Sequence, residues 1–338
     1  MFKELSVRLA LRKLQANLPN ARKQGPSRVT AANNVVEAAA KLGRLHDSTT
    51  VDALVGALQA EDLDEKVYIA VVDALASISD PRAAEPLSIA LTKRRFLLFG
   101  LSHELKSGFP KLGCSVVNAL QQVAGQQALE SLTVALGFQP EVRKAAATAL
   151  QRVGESTWAA LIKGDDGDWQ RIAESKHRLA HVPLASALWK PNKPLFAAIG
   201  TVRGKEIVES LISAFRNYED GELRKELAAA LGTLGEPQWG TIIKGTDDDW
   251  NALGNCGDAR AIEPLQAIIR ALDERAVLNR AGDAAAQRLK QMAGGNPLLS
   301  GLLNDPKQQQ RRVREARIRP LVTAALETLK RQTSSQTT

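Results

Sequence analysis

The chain is poor in sulfur and in aromatic side chains. Two cysteines, two methionines and two tyrosines occur in 338 residues, and Phe, Trp and Tyr together make up 4%. Cys114 and Cys256 lie far apart, with no CxxC spacing, so neither a disulfide framework nor a cysteine zinc site can be built from them. A reducing, cytoplasmic setting is the simpler expectation. No apolar run approaches the roughly 20 residues that a membrane-spanning helix requires, so no transmembrane segment is expected. Alternating Val/Ile-rich runs of the kind that form strands are also missing. The pattern of a phosphate-cradling loop, a dinucleotide fingerprint or a nucleophilic triad does not occur, and no cofactor is expected. Gly164-Asp165-Asp166-Gly167 is read as a turn.

What is abundant is Ala and Leu at helical spacing. Hydrophobic residues are 44% and charged residues 24%, an ordinary globular balance. Net charge is +8, placed unevenly. Residues 1–30 hold seven cations against Glu4, and residues 304–338 hold eight against three acids, which leaves a mildly acidic middle. The opening MFKELSVRLALRKLQANL lacks the continuous apolar core of a secretory signal. Val7, Leu11, Leu14 and Leu18 share one helical face instead. An Arg-rich, acid-poor amphipathic helix is also the pattern of an organelle transit peptide, and that alternative stays open.

The strongest feature is an internal echo. RKAAATALQRVGESTWAALIKGDDGDWQRIA, from Arg143, aligns without a gap on RKELAAALGTLGEPQWGTIIKGTDDDWNALG, from Arg224. Arg143 falls on Arg224, Trp158 on Trp239, and Asp168-Trp169 on Asp249-Trp250, all 81 residues apart. The block spans 143–189 and 224–270. Self-similarity at a fixed offset marks a stacked-repeat architecture, in which 338 residues need not share one core.

Two kinds of helix alternate along the chain. Ala-rich segments (Val35–Ala40, Val67–Ile78, Ser115–Val123, Val142–Val153, Leu195–Val202, Leu223–Leu234) end near Gly43, Gly125, Gly154 or Gly235, and a glycine just past a helix is a stop signal. The second kind opens with an acid two positions before a Leu, as at Asp52, Glu85, Glu130, Glu209 and Glu263. In Asp80-Pro81-Arg82 and Asp258-Ala259-Arg260 the Asp is expected to cap the helix start. Intervals of 33, 45 and 54 residues between these acids show that the longer units carry an insertion. It is predicted to be a short helix holding the first Trp, a glycine stop, and a second short helix capped by Asp168 or Asp249. Residues 19–32 are predicted to be a linker. Gly294-Gly295-Asn296-Pro297 is predicted to be a break, and Ser334 to Thr338 a disordered tail.

The phrases GDARAIEPLQAII and DPRAAEPLSIAL, each behind an Ala-rich unit, are similar to HEAT-like repeats of the phycobilisome-lyase type, over roughly residues 33–272. The resemblance implies an all-α fold, an α-solenoid of about five to six antiparallel helix pairs. A basic N-terminal helix and linker (1–32) would precede it and basic capping helices (273–338) would follow. It implies recognition on a concave face, hence a non-enzymatic protein-protein interaction scaffold with a protein partner. One alternative is a bilin-lyase-like enzyme or chaperone acting on a phycobiliprotein. Another is nucleic-acid binding, or an acidic protein, at the basic terminal helices. Deoxyhypusine hydroxylases of related architecture need several His-Glu dipeptides, whereas this chain has only His103-Glu104. DNA glycosylases with related repeats use a basic concave face, and the acidic middle has the wrong sign for that.

Candidate binding residues follow. Trp158, Trp169, Trp239 and Trp250 are anchors for a ligand or peptide if exposed, and packing side chains if buried. Asp165, Asp166 and Asp168, with Asp247, Asp248 and Asp249, lack the glycine and terminal Glu of a calcium loop and read as solvated turns. Glu174, His177 and His181 fall near one helical face, but no metal signature surrounds them and no metal is expected. Arg94 and Arg95 stand beside the apolar Phe96-Leu97-Leu98-Phe99, a docking loop or a tucked helix end. Arg311, Arg312 and Arg314 open a basic helix with an apolar stripe at Leu321, Val322, Ala325, Leu326 and Leu329. That helix is either an electrostatic patch or a terminal cap.

Overall fold

The computed structural model describes residues 2–22, 25–60, 63–91, 110–188, 192–202, 204–215, 221–292 and 306–335, with the side chains of 278, 281–292, 306–308 and 311 excepted. These residues are helical throughout, joined by turns, with no strand among them. The all-α class expected from the Ala/Leu periodicity is therefore the observed one. The chain divides into two compact units, Met1–Ala187 and Leu188–Thr338.

In the first unit the Ala-rich helices form a row. Helix α1 (Phe2–Ala21) packs on α2 (Ser27–Leu45), α2 on α4 (Glu65–Ile78), α4 on α6 (Pro110–Ala124), and α6 on α8 (Pro140–Arg152). The second-kind helices lie against this row. Helix α3 (Val51–Gln59) packs on α4, and α7 (Leu129–Ala135) packs on α8; α5 occupies residues 84–91. Val35 and Leu42 of α2, Val71 and Leu75 of α4, Val116 and Leu120 of α6, and Ala146 and Leu150 of α8 are all buried. Each recurs at three-, four- or seven-residue spacing, so each helix buries a stripe and keeps a polar face. Full burial of one such Leu stabilises by about 1.5–3 kcal/mol. Polar bonds between neighbours, Lys13 to Glu37 at 2.6 Å and Lys66 to Asn33 at 2.8 Å, are exposed. Exposed pairs contribute about 0–1 kcal/mol, so they set register more than stability.

The aspartates expected to cap two of these helix starts, Asp80 and Asp258, do so, and Asp47 adds a third. The carboxylates of Asp47, Asp80 and Asp258 accept from the backbone N–H two residues on, at Thr49, Arg82 and Arg260, and each opens a single 3-10 turn that leads into a helix. Arg82 also reaches the Ser48 carbonyl at 2.6 Å, which ties two successive second-kind helix starts together.

After α8 come α9 (Thr157–Leu161), α10 (Asp168–Glu174) and α11 (His181–Ala187), the last packed on α7. The second unit holds α12 (Lys193–Ile199), α13 (Lys205–Ala214), α14 (Gly221–Thr233), α15 (Pro237–Ile242), α16 (Asp249–Asn255), α17 (Ile262–Met292) and α18 (Pro306–Ser335). Helix α18 covers α16 and α17 through Ile318, Val322, Ala325, Leu326 and Leu329, all buried. Pro320 lies within α18, which continues past it.

Three sequence expectations change. Gly43 does not end α2: the helix runs on to Leu45, and His46 takes the left-handed conformation, φ 46°. Gly43 is buried because α4 approaches it so closely that a Cβ would lie 2.9 Å from the Ala74 Cα. The linker expected at 19–32 is mostly helix, since α1 extends through Pro19 to Ala21 and α2 starts at Ser27. The expected tail is helical as far as Ser335. The break expected at 294–297 lies outside the described residues.

Gly43→Ala is expected to destabilise the first unit by about 1–3 kcal/mol, because the Ala74 backbone must move. Gly56→Ala in α3, where nothing lies within 4 Å of a new Cβ, is expected to stabilise by about 0.5–1 kcal/mol. Urea denaturation midpoints of the two variants check the contrast.

Candidate functional site

The repeated block folds into the same buried node twice. Arg143 projects from α8 into the interior, where its guanidinium meets four oxygens. Nε donates to the Leu136 carbonyl and Nη2 to the Phe138 carbonyl, each at 3.1 Å. Nη1 donates to the Asp165 carbonyl at 3.0 Å and to Asp168 Oδ2 at 2.8 Å. The guanidinium carbon also sits 3.7 Å from the centre of the Trp169 ring, a cation–π contact. In the second block Arg224 of α14 donates to Asp249 at 2.8 Å and to the Thr246 carbonyl at 2.7 Å, over the Trp250 ring. Both arginines and both aspartates are buried.

The aspartates do not cap α10 and α16 as expected. Each instead turns back on the preceding loop. Asp168 accepts from the backbone N–H of Lys163 at 2.7 Å and of Gly164 at 2.9 Å. Asp249 accepts from Lys244 at 2.7 Å and Gly245 at 3.0 Å. Gly164 and Gly245 both have φ of +81°, a conformation that side chains resist, and this turns two successive N–H groups toward one carboxylate. The Lys-Gly-x-x-x-Asp-Trp spacing is thus a loop clamp, with the arginine of the Ala-rich helix as its anchor. The invariant offset of Arg143 and Arg224 was visible in the sequence. The signal that marks them as interior is their place in the apolar stripe: Arg143 stands three residues before the buried Ala146.

Charge balance follows from this geometry. Burial pushes the Arg143 guanidinium down from its ordinary value, and the Asp168 carboxylate opposes that. Burial alone would raise the Asp168 carboxyl. Hydrogen bonds from Lys163, Arg143 and Arg171 outweigh it and hold the carboxyl below the usual range. An ionised carboxylate closed off from water and a charged guanidinium offer no proton transfer and no nucleophile.

The two nodes differ in their second cation. In the first, Arg171 of α10 binds Asp165 and Asp168. The residue 81 positions later is Ala252, and in the second node Arg317 of α18 binds Asp247 instead. A similar divergence occurs at Glu155, which faces His177 at 3.5 Å, while its counterpart Glu236 is bridged by Arg260 at 2.8 Å.

The four candidate tryptophans, Trp158, Trp169, Trp239 and Trp250, are interior. Trp158 meets the His177 ring edge-on, at 4.6 Å between centroids, and Trp239 stacks on Phe215 at 5.3 Å. None presents a free ring face to solvent, and their buried indole N–H groups have no acceptor among the described residues. Four of the six aspartates in the two acidic turns are engaged by arginines: Asp165 and Asp168 by Arg171, Asp247 by Arg317, and Asp249 by Arg224. Glu174, His177 and His181 do not share a helix face, because α10 ends at Glu174 and Lys176 breaks the path with φ 53° before α11 begins at His181. No cluster with metal-ligand composition occurs among the described residues. Cys114 and Cys256 are free thiols, and burial pushes both up, away from reactive thiolate. Arg312 and Arg314 are half-buried on α18. Arg94 and Arg95, with His103 and Glu104, lie outside the described residues, as does the Arg311 side chain. No described helix is long and apolar enough to cross a membrane.

No protein-family model matches the chain, and no curated protein matches it.

Removing one partner of a buried pair strands the other charge, so Arg224→Met and Asp168→Asn are each expected to cost about 3–5 kcal/mol in chemical denaturation. The Asp168 carboxyl is held low in the folded state. Its contribution is therefore complete above the unfolded carboxyl's pKa of about 3.9 and is lost as pH falls below that. Stability measured from neutral pH down into that range is expected to decline more steeply for the native chain than for Asp168→Asn.

Proposed function

We propose that the chain is a HEAT-like helical-repeat scaffold that binds a protein partner through the exposed faces of its helices, without catalysis of its own. The observation that carries this reading is the closure of the repeated node. The ionic pair at the centre of each block, Arg143 with Asp168 and Arg224 with Asp249, is buried and bonded to the backbone as well as within itself. Duplication of this block has multiplied a framework, and what varies from one helix to the next is the solvent face. On the row of the first unit that face carries Glu37 and Arg44 of α2, Lys66 and Asp73 of α4, Asn118 and Gln122 of α6, and Lys144 and Thr148 of α8, all exposed. Mixed charge on a rigid row suits recognition by a preformed surface, which costs little ordering on binding. The DPRAAEPL and GDARAIEPL phrases support the HEAT-like assignment, and their Asp and Arg form the cap and bridge at the starts of α5 and α17.

The test is capture of a protein partner by the full chain, followed by titration calorimetry on the purified pair. Charge reversal at the row face, Asp73→Lys with Lys144→Glu, is expected to weaken the pair at least about tenfold, the scale of a hot-spot loss. Failure of row-face substitutions to weaken any captured pair, or turnover of a small molecule by the purified chain, overturns the reading.

A further inference from the structure

The end helix of the first unit has two apolar faces, and only one is covered. Helix α1 buries Val7, Ala10, Leu14 and Ala21 where it packs on α2. Phe2, Leu5 and Leu9 lie on the opposite face, at i, i+3 and i+7, and are 89%, 56% and 53% exposed. Ala16 continues the same stripe and is exposed. Isolated exposed apolar residues are ordinary, but a stripe of three large ones on a single helix is not.

The charges of α1 beside the stripe are mainly basic. Arg8 and Arg12 flank it one turn apart on one side, and Lys13, on the other, is paired with Glu37 of α2. Glu4 is the one acid on α1, and it pairs with Arg8 at 2.8 Å, with both side chains largely exposed. A second copy of α1 laid against the first would oppose Arg8 and Arg12 to another pair of arginines, with no acidic row to meet them. Nucleic acid would satisfy the arginines and leave Phe2, Leu5 and Leu9 wet. An anionic bilayer satisfies both. Its headgroups take the guanidinium groups, and the boundary of the acyl region takes the apolar side chains.

We infer that α1 is a membrane-surface helix that seats the Phe2–Leu5–Leu9 stripe in the interface of an anionic lipid bilayer, with Arg8 and Arg12 at the headgroups. The interaction lies in the plane of the membrane surface and does not span it. It is independent of the scaffold reading, since the row face of α2, α4, α6 and α8 is a separate surface.

Flotation of the full chain with vesicles tests the inference. One set contains phosphatidylcholine alone, and the other contains two parts phosphatidylcholine to one part phosphatidylserine. The native chain is expected to float with the second set and not the first, and to be released as salt rises. The Phe2→Ser/Leu5→Ser/Leu9→Ser variant and the Arg8→Gln/Arg12→Gln variant are each expected to lose about tenfold in partitioning. Their circular dichroism should be unchanged, because the substituted side chains face solvent. The inference is overturned if the native chain does not float with phosphatidylserine vesicles, or if it floats equally well after either substitution. It is also overturned if sedimentation shows a self-associated native chain that the triple Ser variant returns to monomer.

Discussion

The structure depends on a guanidinium placed where water cannot reach it. An arginine in an apolar interior is tolerated only if its charge is matched and its donors are used, since the desolvation of an ion in a protein interior amounts to several kcal/mol. In each repeated block the chain meets that demand with one carboxylate and a set of backbone carbonyls. Satisfying the arginine fixes the loop, the loop fixes the aspartate, and the aspartate fixes the two N–H groups that the positive-φ glycine exposes. None of these groups can be exchanged alone. This interdependence explains why Arg, Lys-Gly, Asp and Trp keep their spacing across the two copies while the residues between them drift.

Such a node adds specificity more than net stability. The hydrophobic stripes of α2, α4, α6 and α8 supply most of the driving force, and a buried ion pair roughly offsets its own desolvation. What the node contributes is a single allowed path for the chain between an Ala-rich helix and the next second-kind helix. An insertion of this length, without such a tie, would be free to slide on the row.

Much of the architecture was legible because it rests on periodicity. Leu, Val and Ala at helical spacing identify the first-kind helices, and acids two residues before a Leu fall in the first turn of α3, α5, α7 and α17, whereas Glu209 lies inside α13, which begins at Lys205. The caps at Asp80 and Asp258 were readable because capping is local, set within three residues. The role of Asp168 and Asp249 was not readable for the opposite reason. Their partners, Arg143 and Arg224, lie 25 residues earlier. An Asp at the first turn of a short helix has the same local signature whether it caps that helix or bonds elsewhere. Gly43 shows the same limit. A glycine near a helix end and a glycine under a crossing helix look alike in sequence, and only the Ala74 backbone decides between them. The burial of Trp158, Trp169, Trp239 and Trp250 was likewise a tertiary outcome, since nothing in their immediate neighbours separates an anchor from a filler.

The difference between the two nodes bears on the order in which the chain is made. The first node draws its second cation, Arg171, from three residues beyond its own aspartate, so every part of it has been synthesised once α10 has emerged. The second takes Arg317 from 70 residues downstream, and α16 receives its cover from Ala325 and its neighbours on α18. A ribosome therefore releases the first block with its electrostatics complete, whereas the second waits with an exposed acidic turn until the basic helix arrives. The two copies of the motif therefore close differently: the first within its own 29 residues, from Arg143 to Arg171, and the second only through α18.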